Sequence, residues 1–313
     1  MMNNKEAWGT GMENNVTIKD VCRRKVLAIA GSDCSGGAGI QADLKTMTAH
    51  GIYGMSVITA ITVQNTREVI KSEPVPPDIV AAQIDAVCSD IMPDAVKTGM
   101  LFSEGIIDVV SQKIKEYNLK NIVADPVFVS TSGSRLLEPQ AADALKEKLL
   151  PLATLLTPNI PEAQALTGIS INNKSDMLQA ASKLYEITGT NVLVKGGHST
   201  EDSDDLLYCT EETAMLHTSH CCDMENISVT GNGREVWFKG EKISTLNTHG
   251  TGCTLSSAIA CGLAAGMDII EAVSLAKAYL TGALQAGLDI GQGNGPVDHC
   301  FSIPANLAMS HLL

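Results

Sequence analysis

The sequence predicts an α/β protein built on a mostly parallel sheet, and two observations carry that prediction. Short apolar runs that suit strands buried on both faces alternate with longer segments of helical period, and a polar or glycine-rich piece follows each run. The first strand, Val26–Ala30, ends in Gly31-Ser32-Asp33, and a glycine-rich loop leads into a helix from Gly39 to His50. The second, Ser56–Ala60, runs on to Gln64-Asn65-Thr66, and the helix from Pro77 to Ser89 opens on a proline, which suits a first helical turn. Ala95–Lys97 is the third strand, followed by Gly99-Met100 and a helix from Ser103 to Tyr117. Asn121–Ala124 is the fourth, followed by Asp125-Pro126-Val127 and a helix from Glu138 to Leu149. Thr154–Leu156 leads through Thr157-Pro158-Asn159 to a helix over Ile160–Thr167, whose start has the pattern of a capping box between Asn159 and Glu162. A helix over Lys174–Thr188 precedes the sixth strand, Asn191–Val194, which ends in Lys195-Gly196-Gly197. Helices over Cys253–Ala265 and Ile269–Ala286 complete the pattern. In an open parallel sheet ligands bind beyond the carboxyl ends of the strands, so these six short pieces are expected to line one crevice.

The pattern has no linker of sufficient length or glycine, serine and proline content to divide it, which predicts one domain over residues 25 to 313 behind a mobile extension of residues 1 to 24. With 313 residues, 44% of them hydrophobic, there is enough apolar surface for a large core. The formal net charge of −13 argues against non-specific nucleic-acid or anionic-membrane binding, both of which need a basic face. No apolar run is long enough to span a bilayer and Met1 to Lys19 lacks the apolar centre of a signal peptide, so the expected location is cytoplasmic. The nine cysteines are an odd number in scattered positions, unlike a secreted disulfide framework. Cys209, His217, His220, Cys221 and Cys222 cluster in sequence, but two adjacent cysteines and a missing partner half do not match zinc-ligand spacing, and a variable loop is the better reading.

The stretch with the most chemical content is Asn247-Thr248-His249-Gly250-Thr251-Gly252-Cys253-Thr254, which runs directly into an apolar helix. Glycines let the backbone fold closely around a ligand, and the unpaired N–H groups and dipole of a helix start favour an anion, most often phosphate. Cys253 in that position is expected to have a lowered pKa, suited to accepting a proton. The competing reading makes Cys253 a small buried hydrophobe and the glycines a simple tight turn. No Walker-type glycine-lysine loop or protein-kinase signature is present, so Gly250, Thr251 and Gly252 must supply any phosphate contacts. Asp125, a hard carboxylate at a strand end, suits Mg2+ or its waters.

Ala30-Gly31-Ser32-Asp33-Cys34-Ser35-Gly36-Gly37-Ala38-Gly39-Ile40-Gln41-Ala42-Asp43-Leu44-Lys45-Thr46, the run from Ser56 to Gln64-Asn65-Thr66, and Asn247 to Thr254 resemble the hydroxymethylpyrimidine/phosphomethylpyrimidine kinases of thiamine biosynthesis, within the ribokinase-like superfamily. The likeness extends from about Val26 to Gly295-Pro296-Val297. It implies a three-layer α/β/α fold and an enzyme that uses ATP and Mg2+ to phosphorylate a pyrimidine alcohol and then its monophosphate. The expected partners are the small-molecule pyrimidine and ATP, with no nucleic acid or membrane, and the expected assembly is a homodimer. The resemblance puts the pyrimidine against Gly31, Asp43, Gln64 and Met100, with Asp43 and Gln64 offering an acceptor and an amide to an aminopyrimidine edge. It puts the nucleotide against Asn159, Lys195, Gly197 and His249, the metal at Asp125 and Glu162, and the proton acceptor at Cys253, where most ribokinase relatives carry Asp. Two features depart from the branch: the N-terminal extension and a long insertion at about 209–245, which includes Gly231-Asn232-Gly233.

Two other readings remain. A pyridoxal/pyridoxine kinase shares the cysteine turn, and Gln64 argues against it because its amide fits a pyrimidine amine and ring nitrogen. A non-catalytic pyrimidine-binding protein has no evident use for Cys253, Asp125 and Lys195 together.

Overall fold

The computed structural model describes residues 23–129, 133, 136–138, 140–197, 203–210, 227–230, 235–240 and 242–303. Along the chain run β1 (Lys25–Asp33), α1 (Gly39–Ala49), β2 (Tyr53–Gln64), β3 (Val69–Pro74), α2 (Pro77–Cys88), β4 (Ala95–Thr98), α3 (Glu104–Glu116) and β5 (Ile122–Ala124). Then come α4 (Ala141–Ala144), β6 (Leu155–Leu156), α5 (Ile160–Thr167), α6 (Lys174–Thr188), β7 (Asn191–Val194), β8 (Asp205–Tyr208), β9 (Ile227–Thr230), β10 (Glu235–Phe238), α7 (Thr251–Ala264) and α8 (Ile269–Gln285). One sheet has the order β3-β2-β1-β4-β5-β6-β7-β8-β10-β9. The six strands from β2 to β7 in that order pair in parallel, and each is one of the six expected from the sequence. The four additional strands, β3, β8, β9 and β10, are antiparallel additions at the two ends.

Strand alternation divides the core in two. Leu27 and Ile29 of β1 face one side with Val96, Ile122, Leu156 and Val192, under α2, α3, α5 and α6. Val26, Ala28 and Ala30 face the other with Val123, Leu155 and Leu193, under α1, α7 and α8. Successive side chains point to opposite faces of a pleated strand, so a run apolar at every position must be covered on both sides. The result is the expected three-layer arrangement.

Two expectations needed revision. The helix expected from Glu138 to Leu149 is α-helical only over Ala141–Ala144, then widens to a π-turn over Leu145–Leu149 and tightens to a 3-10 turn over Leu150–Leu152. Pro151 accounts for this, since it has no N–H to donate and its ring crowds the carbonyl four residues back. The last-but-one helix starts at Thr251 and not Cys253, which places the cysteine inside the first turn. Residues 1–22 of the N-terminal extension, Gly231-Asn232-Gly233, and the His217, His220, Cys221 and Cys222 of the weighed zinc reading lie outside the described residues. Cys209 is buried in the core, and the described residues hold no group of three or more potential metal-binding side chains.

Candidate active site

A cavity of about 1070 Å³ opens along the carboxyl edge of the parallel strands. Every strand-end piece contributes: Gly31 and Asp33 at the end of β1, Gln64 from β2, Met100 after β4, Asp125 after β5, Asn159 and Glu162 after β6, and Lys195 and Gly197 after β7. The turn from Thr248 to Cys253 closes one wall. The convergence expected from the sequence is therefore geometric fact.

That wall is built on Gly250, the N-cap of α7, at φ 81°. A side chain here is doubly barred, by the left-handed backbone and because a Cβ would fall 1.9 Å from the Gly37 carbonyl oxygen. The N–H groups of Gly252 and Cys253, in the first turn, have no acceptor within the helix and are free to meet an anion. Gly252 faces an opposed pair of charges in the cavity, since a Cβ on it would sit 3.3 Å from Lys195 Nζ and 3.5 Å from Asp125 Oδ2.

Lys195 Nζ donates to Asp125 Oδ1 at 2.7 Å, and Thr157 Oγ1 donates to the same oxygen at 3.0 Å. The capping box is present: Glu162 N–H donates to Asn159 Oδ1 at 2.9 Å, and Asn159 N–H to Glu162 Oε2 at 2.8 Å. Burial pushes the Glu162 carboxyl up to about 7, against the pull of Lys195 and with the added push of Asp125. Lys195 stays protonated despite burial because Asp125 and Glu162 flank it. Two neighbouring carboxylates suit Mg2+, which takes one or two of them and completes its shell with phosphate oxygens and water. The donor set present fits that ion.

Opposite the turn, Asp33 organises the first glycine loop. Its carboxylate accepts from Ser35 N–H at 2.8 Å, Ser35 Oγ at 2.7 Å, Gly37 N–H at 3.1 Å and Ala38 N–H at 2.8 Å. His249 Nε2 lies 2.8 Å from Asp33 Oδ2, which ties the first glycine loop to the second. Burial works against the Asp33 charge, but His249, Ser35 and the Gln64 side chain hold its carboxyl well below the usual carboxylate range. His249 thus faces the cavity with one ring nitrogen already engaged, a bridging role that sequence reading did not foresee. Gly31 makes room for Met100, whose Sδ would lie 2.9 Å from a Cβ there.

Asp43 is a correction. It was expected to meet the pyrimidine, yet it is fully buried and outside the cavity lining. Its oxygens lie 2.8 and 3.0 Å from Lys97 Nζ, and Ser257 Oγ donates to Oδ1 at 2.7 Å. The reason is helix direction: α1 turns this position toward β4 and α7, behind the cavity wall. Lys97 itself, fully buried, was missed; a single lysine in the apolar run Ala95-Val96-Lys97-Thr98 was the available signal.

The expected low thiol pKa is a second correction. Burial pushes Cys253 up to about 11; Lys97 and the Gly39 N–H oppose this, while Asp43 and Asp125 add to it.

A family model described as phosphomethylpyrimidine kinase matches residues 33–298. The hydroxymethylpyrimidine/phosphomethylpyrimidine kinase of Rhizobium meliloti is 47% identical over 277 residues, covering 87% of this chain and 96% of that protein. A thiamine biosynthesis bifunctional protein of Geobacter sulfurreducens is also 47% identical, over 88% of this chain, and the chain spans 52% of its length. Among solved structures, phosphomethylpyrimidine kinase from Clostridium difficile is similar with TM-score 0.69 and 44% identity, over 83% of this chain and 98% of that one. An ADP complex of Bacillus subtilis pyridoxal kinase is similar with TM-score 0.75 and 36% identity, over 89% and 98%.

Proposed function

Because the chain belongs to the phosphomethylpyrimidine kinase family, we propose that its cavity phosphorylates 4-amino-5-hydroxymethyl-2-methylpyrimidine and then the monophosphate, with ATP as donor. The carrying observation is the placement of Cys253, in the first turn of a glycine-started helix, on the same cavity as Gln64 and the Asp125–Lys195 pair. Phosphoryl transfer needs alignment and charge neutralisation more than covalent help from the protein.

Each residue has a part in that chemistry. Gly31, Gln64 and Met100 hold the flat pyrimidine, with the Gln64 amide addressing its polar edge. The N–H groups of the Gly250-Thr251-Gly252-Cys253 turn and Lys195 hold the transferring phosphoryl group. Asn159 and Gly197 border the nucleotide, and His249 serves that side by fixing the turn against Asp33. Asp125 and Glu162 would hold Mg2+, which neutralises phosphate charge when bound. Cys253 first gives its proton to water. Its thiolate then takes the proton of the attacking hydroxyl as the new O–P bond forms and the bond to the bridging oxygen of ADP breaks. In the second reaction a substrate phosphate oxygen attacks from the same site.

The test is ADP release with the pyrimidine alcohol against pyridoxal. We expect kcat/KM to favour the pyrimidine by tens-fold; equal or better turnover of pyridoxal would transfer the assignment to the second reading, which the likeness to pyridoxal kinase supports. The partners are small molecules, and a second copy of the chain is proposed at the β2–β3 end of the sheet, where Ile61, Val63 and Ile70 are 56%, 47% and 63% exposed. Among the described residues no helix is long and apolar enough to cross a membrane, and the proposed location is the cytoplasm.

A further inference from the structure

A fully buried lysine is rare, and replacing a buried ion pair by apolar side chains is often neutral or stabilising, so Lys97–Asp43 calls for a reason beyond stability. Its position supplies one. Lys97 extends from β4 toward the carboxyl edge of the sheet, and its Nζ occupies the space that a Cβ on Gly99 would take, at 2.8 Å. Asp43, from α1, holds that ammonium in place and is itself held by Ser257. Ser257 lies four residues after Cys253, on the same face of α7 one turn deeper. Lysine, carboxylate and hydroxyl therefore form a fixed, hydrogen-bonded charge assembly that reaches the helix one turn from Cys253, and none of the three lines the cavity.

We propose that Lys97, clamped by Asp43 and Ser257, is a positioning residue whose buried ammonium stabilises the thiolate of Cys253. This rests on the reading of Cys253 as proton acceptor. The reaction itself is unchanged: the hydroxyl proton passes to sulfur, and Lys97 neither gains nor loses a proton. Burial opposes the charge on Lys97, but Asp43, Cys253 and Asp125 more than offset it. The charged groups facing Cys253 are Lys97 from β4, Asp43 from α1 and Asp125 after β5, with Lys195 after β7 and, beyond it, Glu162 of α5. The ammonium acts on the thiol more strongly than its partner carboxylate does, so the intact pair favours the thiolate.

The experiment measures the pH midpoint of Cys253 alkylation by iodoacetamide, followed on its own peptide by mass spectrometry so that exposed Cys34 and Cys300 do not interfere. A Lys97→Met/Asp43→Asn double variant removes both charges and avoids an unpaired buried one. We expect its thiol midpoint to rise by about one unit, giving roughly tenfold slower alkylation at neutral pH and a matching shift in the kcat/KM profile. Asp43→Asn alone leaves the ammonium unopposed and should lower the midpoint; it also serves if the double variant does not fold. A merely structural pair would alter melting temperature and leave both midpoints at the wild-type value, and that result overturns the proposal. Turnover retained by Cys253→Ala would instead remove the base assignment, and the alkylation midpoints would still report whether Lys97 governs the thiol.

Discussion

Cys253 is placed where its surroundings resist the charge that its proposed role as proton acceptor requires. The helix start and Lys97 favour a thiolate, yet burial and two carboxylates outweigh them and leave the thiol at about 11. Turnover should therefore still be rising with pH above neutrality, as the thiolate fraction grows. Cys253→Ala keeps every backbone N–H of the turn, so nucleotide binding measured by calorimetry should persist while kcat falls by roughly 10² to 10⁴. Cys253→Asp should recover part of this loss. Near-normal kcat in a folded Cys253→Ala protein would leave the turn as an anion site and return the cysteine to a packing role. The specificity proposed for Gln64 is tested in the same way. Its replacement by Met should cost the pyrimidine tens-fold in kcat/KM, because a buried polar edge loses its partner, with ATP affinity unchanged. An effect within about twofold would place the pyrimidine elsewhere. Gly31, Asp125 and Lys195 were legible as cavity-lining residues because each sits at or just past a strand end, and Glu162, Gly250 and Gly252 because each sits at a helix start that faces the same crevice. Asp43 was not, since the side of the sheet to which a helical residue turns depends on packing that a linear motif does not encode.

Helix α7 is the element on which the site depends, and its far side is pinned by a neutral histidine. His299 Nε2 lies 3.0 Å from Thr254 Oγ1, and burial, with Lys45 nearby, drops its pKa from 6.5 to about 4. The folded protein thus binds fewer protons than the unfolded chain between these values. This contribution to stability is complete above pH 6.5 and is lost as pH falls toward 4, by about 3 kcal/mol at most. Urea midpoints across this range should fall more steeply for wild type than for His299→Gln, which lacks the titrating ring; parallel curves would rule out the linkage. At this scale the parallel strands and the amphipathic helices were legible from period and length. β3 was not, because Val-Ile-Lys-Ser-Glu-Pro is mostly solvent-facing and so lacks the apolar alternation of a covered strand. β9 and β10 were not, because they fall in the stretch at about 209–245 that reads as an insertion.

At the scale of the whole molecule, the antiparallel hairpin of β2 and β3 leaves one end of the sheet open, with Ile61 and Val63 on its surface. If this end meets a second copy, light scattering should give twice the 33.0 kDa chain mass, and an Ile61→Glu/Val63→Glu variant should give the single-chain mass without losing its fold. A wild-type protein of single-chain mass at micromolar concentration would exclude this interface. The three layers could be anticipated because strands apolar on every residue demand cover on both faces. The contact between the two glycine loops could not, because it joins distant parts of the chain. Asp33 and His249 are 216 residues apart, and Asp43 and Ser257 are 214 apart. That separation has a consequence during synthesis. At about 5–20 residues per second, the first loop waits on the ribosome for roughly ten to forty seconds before its counterpart is made. Most of the parallel strands can pair in that interval, but no nascent chain short of α7 has the Gly250–Cys253 turn, so the proposed phosphate site is assembled only after that helix has been made.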